Sequence, residues 1–394
     1  MKRRTLHAAL SPMRAVRLAL LVFLLSGCGL LELRSDGDML QIALVAPVRG
    51  DYQALGQSAR NGAVLAVEAW NARGGVLGLP VQLVILDGEC DYEAARVAAR
   101  TALDEQSIRF FVGGVCGAES EAIAQIVDVE YAFQITPASV NPDLTLDAEG
   151  LVRPRVFRVP FVDPDQGLAA AQFALLRLNA RRAGILYDGD SAYAASLVAA
   201  FREAFEAGGG EVVAEETYDR DDLVFFDPLD RVRAEAPDVL YVPGYHTQVS
   251  TLIAQARTFG MAQTVLGSDG WDAPALALDA VNNSYFTTHF YPDEQRAAVR
   301  DWVAQYSQRY LAPPDALATL SFDAVNMLLE AINQSASLEP LAVALAMESM
   351  TFQTVSGAIR FDAAHNPYKD VVLLQVVGGR LGFAERLQPR QPEP

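Results

Sequence analysis

Lysine is almost missing: it occurs at Lys2 and Lys369 and nowhere else in 394 residues. With it goes the Gly-x-x-x-x-Gly-Lys loop, which excludes P-loop nucleotide chemistry. Histidine and cysteine are scarce, at four and three residues. No His-Glu-x-x-His and no Gly-x-Ser-x-Gly elbow is present, so the common zinc-protease and serine-hydrolase signatures are absent. No run of about 20 apolar residues exists to span a bilayer. Positive charge is short as well: 31 basic residues stand against 49 acidic ones, a formal net charge of −18. Five of the bases (Lys2, Arg3, Arg4, Arg14, Arg17) lie in the first 27 residues with no acid among them, so the chain from Cys28 onward sets 26 bases against 49 acids. A surface that acidic repels phosphate backbones and argues against a nucleic-acid partner. Hydrophobic residues, at 51%, are too abundant for disorder, and the length asks for two domains.

What is present begins with a basic N-terminus, an apolar run from Leu18 to Leu25 and then Leu25-Ser26-Gly27-Cys28. The run is too short to span a membrane and suits the h-region of a signal peptide over residues 1–27. Small residues before a cysteine resemble a bacterial lipobox, in which Cys28 is diacylated and becomes the new N-terminus. Residues 28–38 then read as a tether to a membrane on the extracytoplasmic side, at its periplasmic face or at the cell surface. Outside the cytoplasm disulfides persist, and with Cys28 lipidated, Cys90 and Cys116 remain as one pair. Three histidines (His246, His289, His365) stay in the mature chain, each read as a surface or packing residue, and no metal or cofactor is expected.

Short apolar runs alternate with helical patterns. Strands are expected at Gln41–Ala46, Val81–Leu86, Arg109–Gly113, Phe133–Thr136, Val156–Val159, Ala183–Tyr187, Glu211–Ala214, Val239–Pro243, Thr264–Gly267 and Val371–Val376. Stretches such as Ala59–Asn71, Glu93–Asp104, Gln166–Leu178, Ala192–Glu206 and Val249–Phe259 carry apolar residues at helical spacing. Apolar strands alternating with helices imply α/β architecture, with parallel sheets covered on both faces. Gly74-Gly75-Val76-Leu77-Gly78 ends a helix and precedes a strand, the reverse of a dinucleotide fingerprint, so it reads as a helix C-terminal turn. Ligands of such sheets bind beyond the carboxyl ends of the strands. The loops there are rich in Gly, Ser, Asp and Tyr but hold no nucleophile–base pair, so an enzyme is not expected.

Several motifs in order carry a resemblance. They are Asn61-Gly62-Ala63, Trp70-Asn71-Ala72-Arg73-Gly74-Gly75, Asp87-Gly88-Glu89-Cys90-Asp91, Val112-Gly113-Gly114-Val115-Cys116, Thr136-Pro137-Ala138-Ser139-Val140-Asn141-Pro142, Phe322-Asp323-Ala324-Val325 and the strand ending in Phe361-Asp362. From about Gln41 to Phe383 the chain resembles the leucine/isoleucine/valine-binding proteins of branched-chain amino-acid ABC transporters, which have the type I periplasmic binding protein fold. The resemblance implies two doubly wound parallel-sheet lobes joined by three crossing segments, near Pro160–Asp163, Thr288–Tyr291 and Tyr368–Val371. Lobe 1 would hold residues 39–160 plus 291–368, lobe 2 residues 161–290 plus 369–386, and 387–394 a Pro-rich tail. It also implies a Cys90–Cys116 disulfide, a small-molecule ligand, ABC permease partners and a monomer.

For the site, the resemblance places Asp269 where the family holds the ligand ammonium, Tyr193 and Tyr245 as ring covers from lobe 2, and Leu55 at the pocket wall. Gly117, Ala118, Ala138, Ser139 and Val140 fall at the carboxylate end. Gly117 and Val140 stand where the family has hydroxyls, so backbone N–H groups at a helix start would have to serve instead. Glu119, in that helix's first turn, reads as a dipole-complementing residue facing solvent. The expected function is a lipid-anchored solute-binding subunit for a small, aliphatic amino acid. Two alternatives are an amide, urea-like or amine ligand on the same fold, and a lipoprotein that regulates a cell-wall synthase. If Cys28 carries the lipid, Cys28→Ala leaves the precursor unprocessed by the lipoprotein pathway, seen as a slower gel band without labelled palmitate. Normal maturation with unchanged membrane retention would remove the anchor.

Overall fold

The N-terminal lobe is built on a sheet of five parallel strands: β1 (Leu40–Ala46), β2 (Val81–Asp87), β3 (Phe110–Gly113), β4 (Phe133–Thr136) and β5 (Val156–Arg158), in the order β2-β1-β3-β4-β5. The structure is a computed structural model and describes residues 39–219, 221–273 and 275–390; the signal peptide, Cys28 and the tether lie outside the described residues, as do residues 391–394. Along β1 the side chains alternate between two cores, as a strand period of two requires. Leu40, Ile42 and Leu44 pack with α1 (Gln53–Ala72), α9 (Ala316–Ser335) and α10 (Pro340–Ser349). Ala43 and Val45 pack with α2 (Tyr92–Gln106) and α3 (Gly117–Val129) on the other face. A sheet covered on both sides has no polar face, which is why its strands read as largely apolar.

Helix α1 runs until Arg73, where Gly74 and Gly75 take φ of +98° and +78° and the Gly75 N–H closes on the Trp70 carbonyl at 2.9 Å. This is the helix-ending turn expected from the glycines. Gly62 lies where α1 rests on α9: a Cβ there would stand 1.9 Å from the Ala318 carbonyl oxygen. Cys90 and Cys116 form a disulfide, Cα–Cα 5.2 Å, which ties the loop after β2 to the N-cap of α3.

The second sheet has seven strands, β6 (Arg182–Asp188), β7 (Glu211–Tyr218), β8 (Val239–Tyr241), β9 (Thr264–Gly267), β10 (Ser284–Thr288), β14 (Val371–Val377) and β15 (Arg380–Leu387), in the order β15-β14-β10-β9-β8-β6-β7. From β7 to β10 neighbours are parallel, whereas β14 and β15 add antiparallel strands at one edge. Here too the sheet is sandwiched, with α4 (Asp163–Leu176) and α5 (Ala192–Ala207) on one face and α6 (Phe226–Ala234) and α7 (His246–Thr258) on the other. A small antiparallel sheet, β11 (Phe352–Gln353), β12 (Ala358–Phe361) and β13 (Pro367–Tyr368), packs on α10. The fold is therefore two doubly wound lobes joined by three crossings.

These crossings fall between β5 and α4, between β10 and α8 (Ala297–Tyr310), and between β13 and β14. Phe161 of the first packs on Val371 just past the third, and Lys369 of the third donates to the Val159 carbonyl at 3.3 Å. Arg386 grips both carboxylate oxygens of Glu294, at 2.8 and 2.6 Å, and donates to the Ser356 carbonyl at 3.1 Å. Leu387 closes the last strand, and Arg390 pairs with Asp165 at 2.6 Å and Asp362 at 2.9 Å, so this part of the Pro-rich end is docked. No helix among the described residues is long and apolar enough to cross a membrane.

Two outcomes follow from these ties. The double substitution Cys90→Ala with Cys116→Ala should lower unfolding stability in urea by about 2–4 kcal/mol, and both native cysteines should resist thiol labelling until reduced. Labelling of both thiols without reductant would contradict the bridge. Burial works to raise the Glu294 carboxyl, but Arg386 and Arg296 outweigh it and hold it down to about 2. A carboxyl depressed on folding contributes stability that is complete above its unfolded pKa, about 4.3, and is lost as pH falls through about 2. Arg386→Met should move the acid-unfolding midpoint to higher pH; an unchanged midpoint would show that the pair is not a brace.

Candidate functional site

The parallel strands of the two layers send their C-terminal ends into loops, and the sequence-derived site residues sit on those loops or in the first turn of the helix that follows. In lobe 2, Asp269 opens a short 3-10 turn (Asp269–Trp271) directly after β9 and Ser268. This turn lies tight against the loop after β8: a Cβ on Gly270 would come within 2.5 Å of the Gly244 carbonyl oxygen. Ser268 Oγ accepts the Gly244 N–H at 3.1 Å and fixes the two loops together. Tyr245 is the N-cap of α7, and Tyr193 lies in the first turn of α5, whose N-cap Ser191 accepts the Ala194 N–H at 3.2 Å. The two tyrosine rings stack at 5.2 Å, Tyr193 half-buried and Tyr245 49% exposed.

Asp269 is the centre of this group. Its carboxylate accepts the Tyr193 hydroxyl on Oδ1 and faces His289 Nε2 at 3.2 Å on Oδ2. Its own N–H goes to Gln166 Oε1 at 3.1 Å, and Gln166 also takes the Thr287 hydroxyl at 2.7 Å. Burial works to raise the Asp269 carboxyl, but the bonds from His289, Tyr193 and Gln166 outweigh it and hold the group below the usual carboxylate range. Burial also pushes the His289 imidazole below its ordinary range, with Asp269 opposing. Burial and the charge of Asp269 keep the Tyr193 hydroxyl protonated. The result is an ionised carboxylate surrounded by neutral donors, and among the described residues no Lys or Arg pairs with it. Asp163, at the start of α4, is pushed up to about 8 by burial and by the charge of Asp269, with Arg158 opposing.

Lobe 1 presents a different surface. Leu55, in the first turn of α1, is 42% exposed, and Tyr52 at its N-cap is 54% exposed. Gly117 and Ala118 are exposed in the first turn of α3, where a helix provides no acceptor for its N–H groups. Thr136 Oγ1 takes the N–H groups of Ala138 and Ser139, each at 3.2 Å. Ser139 is buried, and its carbonyl, with those of Asn141 and Pro142, accepts from Arg158. The Val140 carbonyl accepts the Asp163 N–H at 3.2 Å, which joins this loop to the first crossing.

Glu119 departs from its expected solvent-facing place. It is fully buried and accepts the N–H groups of Cys90 at 3.0 Å, Val115 at 2.9 Å and Cys116 at 3.0 Å. Those donors consume it as an internal support for the disulfide loops, because a buried carboxylate needs its lone pairs filled. His289 is a packing residue, buried against Phe161, and it also bonds Asp269. Gln166, His289 and Asp163 are the site neighbours that the sequence did not reveal. Gln166 lies inside an ordinary helical stretch, and His289 follows a polar strand, so only the three-dimensional meeting with Asp269 marks them. A cavity of about 440 Å³ in lobe 1, lined by Arg73, Phe322, Asn326, Glu330 and Val355 among others, shares no residue with this group.

A family model described as periplasmic binding protein matches residues 40–380. The chain belongs to that family. A Leu/Ile/Val-binding protein of Rhizobium johnstonii is 30% identical over 317 residues, covering 78% of this chain and 83% of that one. The leucine-, isoleucine-, valine-, threonine- and alanine-binding protein of Pseudomonas aeruginosa is 26% identical over 351 residues, 88% of this chain and 92% of the relative. Among solved structures, a leucine-binding protein from Thermotoga maritima is 32% identical with a TM-score of 0.75, over 89% of this chain and 99% of that one. The resemblance to the leucine/isoleucine/valine-binding proteins read from the motifs is borne out by these relatives.

Proposed function

We propose that this periplasmic binding protein is the non-catalytic solute-binding subunit of an ABC importer and takes a small amino acid, with an aliphatic side chain, between its two lobes. The observation that carries the reading is Asp269: an ionised carboxylate held among neutral donors and bonded to the hydroxyl of Tyr193, whose ring stacks on Tyr245. Such a group has its charge still available for a cation, and a charge-assisted bond gains strength as water leaves a closing cleft. The rings offer an aromatic face to an amphiphilic molecule, while the Tyr193 hydroxyl is committed to Asp269 and to the Gly270 N–H at 3.2 Å. Exposed Leu55 supplies an aliphatic wall from lobe 1. Hinge closure at the three crossings follows from contacts that the ligand makes with both lobes in the closed form alone. The chain works as a monomer, anchored through Cys28 to a membrane on the extracytoplasmic side, and presents its closed form to the permease.

One observation favours the amine or amide alternative. The Ala138 and Ser139 N–H groups are already taken by Thr136, and Gly117 and Val140 carry no hydroxyl. The Gly117 and Ala118 N–H groups are then what a ligand carboxylate would meet. A permease gene found beside that of this chain would support transport over a synthase regulator.

Asp269→Asn keeps the side-chain size and removes the charge. Calorimetric titration with the amino acid that most raises the thermal midpoint of the parent should show a loss of about 2–4 kcal/mol, since a ligand cation is left poorly paired. Val140→Thr should tighten or preserve binding of a carboxylate ligand. Unchanged affinity in Asp269→Asn would sink the amino-acid reading.

A further inference from the structure

His289 stands between the candidate anchor and the hinge. It follows β10 directly, on the second crossing, with its ring buried. Nε2 lies 3.2 Å from Asp269 Oδ2, while the ring face lies on Phe161 of the first crossing, centroids 3.8 Å apart at 25°. Phe161 in turn packs against Ala169 and Val371, the latter just past the third crossing. One side chain therefore touches the acid along its edge and the packed centre of the hinge with its face. The other two described histidines lack this arrangement: His365 stacks on Phe157 and bonds the Val156 carbonyl and Glu348, and His246 begins α7.

We propose that His289 is a positioning residue that aims the Asp269 carboxylate at the ligand cation and couples its occupancy to the crossing segments. The inference rests on the reading of Asp269 as the ammonium partner. A neutral donor suits this task for a physical reason. A lysine or arginine in its place would neutralise Asp269 and compete with the ligand, whereas an imidazole N–H fixes the carboxylate's rotation and leaves its charge in place. The charged groups about the imidazole are Asp269 itself and Lys369 of the third crossing, with Asp163 at the start of α4 acting on Asp269. Burial and Lys369 keep the imidazole neutral against the pull of Asp269. Because packed contacts move as units, a shift of the carboxylate onto a ligand is felt at Phe161 through the same ring.

His289→Phe keeps a ring to stack on Phe161 and removes the donor; His289→Gln restores a neutral donor. Calorimetric titration with L-leucine should show a loss of about tenfold or more in His289→Phe and recovery to within about threefold in His289→Gln. In an Asp269→Asn background His289→Phe should change affinity by less than about threefold, since the partner it positions has lost its charge. An equal loss in both backgrounds would mean that His289 acts through packing alone and would overturn the inference. A second measurement needs no ligand: in an NMR titration of the imidazoles, with His289 assigned from its Gln variant, Asp269→Asn should lower the His289 midpoint. An unchanged midpoint overturns the coupling whatever binds. Failure of the parent to bind L-leucine, with the midpoint shifted as expected, would count against the functional reading and leave the Asp269–His289 link standing.

Discussion

A parallel strand can be followed by its parallel neighbour only through a crossover, and each crossover returns the chain to the same starting edge. Every strand of such a layer therefore ends at one edge, where loops are free to vary and the backbone is not committed to the ladder. Both lobes obey this constraint, and it decides where chemistry can be placed. Asp269, Tyr193 and Tyr245 occupy that edge in lobe 2, and Leu55, Gly117 and the Thr136–Pro142 loop occupy it in lobe 1. The antiparallel pair β14 and β15 adds width at the far end of the second sheet and, through Arg386 and Arg390, brings the C-terminal segment back onto the crossings.

The two edges are charged differently. Lobe 2 holds an anion within a preformed set of bonds, so its share of the site is organised before any ligand arrives. Lobe 1 has an anion of its own, Glu119, but spends it on three backbone donors beside the disulfide. What remains for a ligand there is main-chain N–H at a helix start and an aliphatic wall. Asp163 adds a second carboxyl at the hinge, held protonated into the neutral range by its own burial and by the charge of Asp269. The carboxyl groups of these edges are thus concentrated in lobe 2 and beside the crossings, and in the proposed reading anion recognition is left to backbone geometry.

How much of this the sequence carried depends on the signal each element leaves. Phe133–Thr136 and Thr264–Gly267 are short, partly apolar and bounded by helical patterns, and their strands match residue for residue. β10 reads Ser-Tyr-Phe-Thr-Thr and β15 Arg-Leu-Gly-Phe-Ala-Glu-Arg-Leu; neither is an unbroken apolar run, and both escaped a reading based on such runs. The Gly74–Gly78 turn was legible because a glycine pair past a helix end has a local cause. Glu119 was misread because a charged residue in a first helical turn has a good solvent-facing explanation, and only the folded loops after β2 and β3 supply three N–H donors to draw it inward. His289 and Gln166 left no trace, since their meaning lies in contacts separated by 20 and 103 residues from Asp269.

A crystal structure of the protein with a bound amino acid tests the central claim most directly. The account predicts a closed form in which the ligand ammonium lies about 2.7–2.9 Å from an Asp269 carboxylate oxygen, beneath Tyr193 and Tyr245, with the carboxylate directed toward the Gly117 and Ala118 N–H groups. A ligand seated elsewhere, such as in the lobe 1 cavity beside Arg73 and Glu330, with Asp269 contacting only Tyr193, His289 and Gln166, would contradict it.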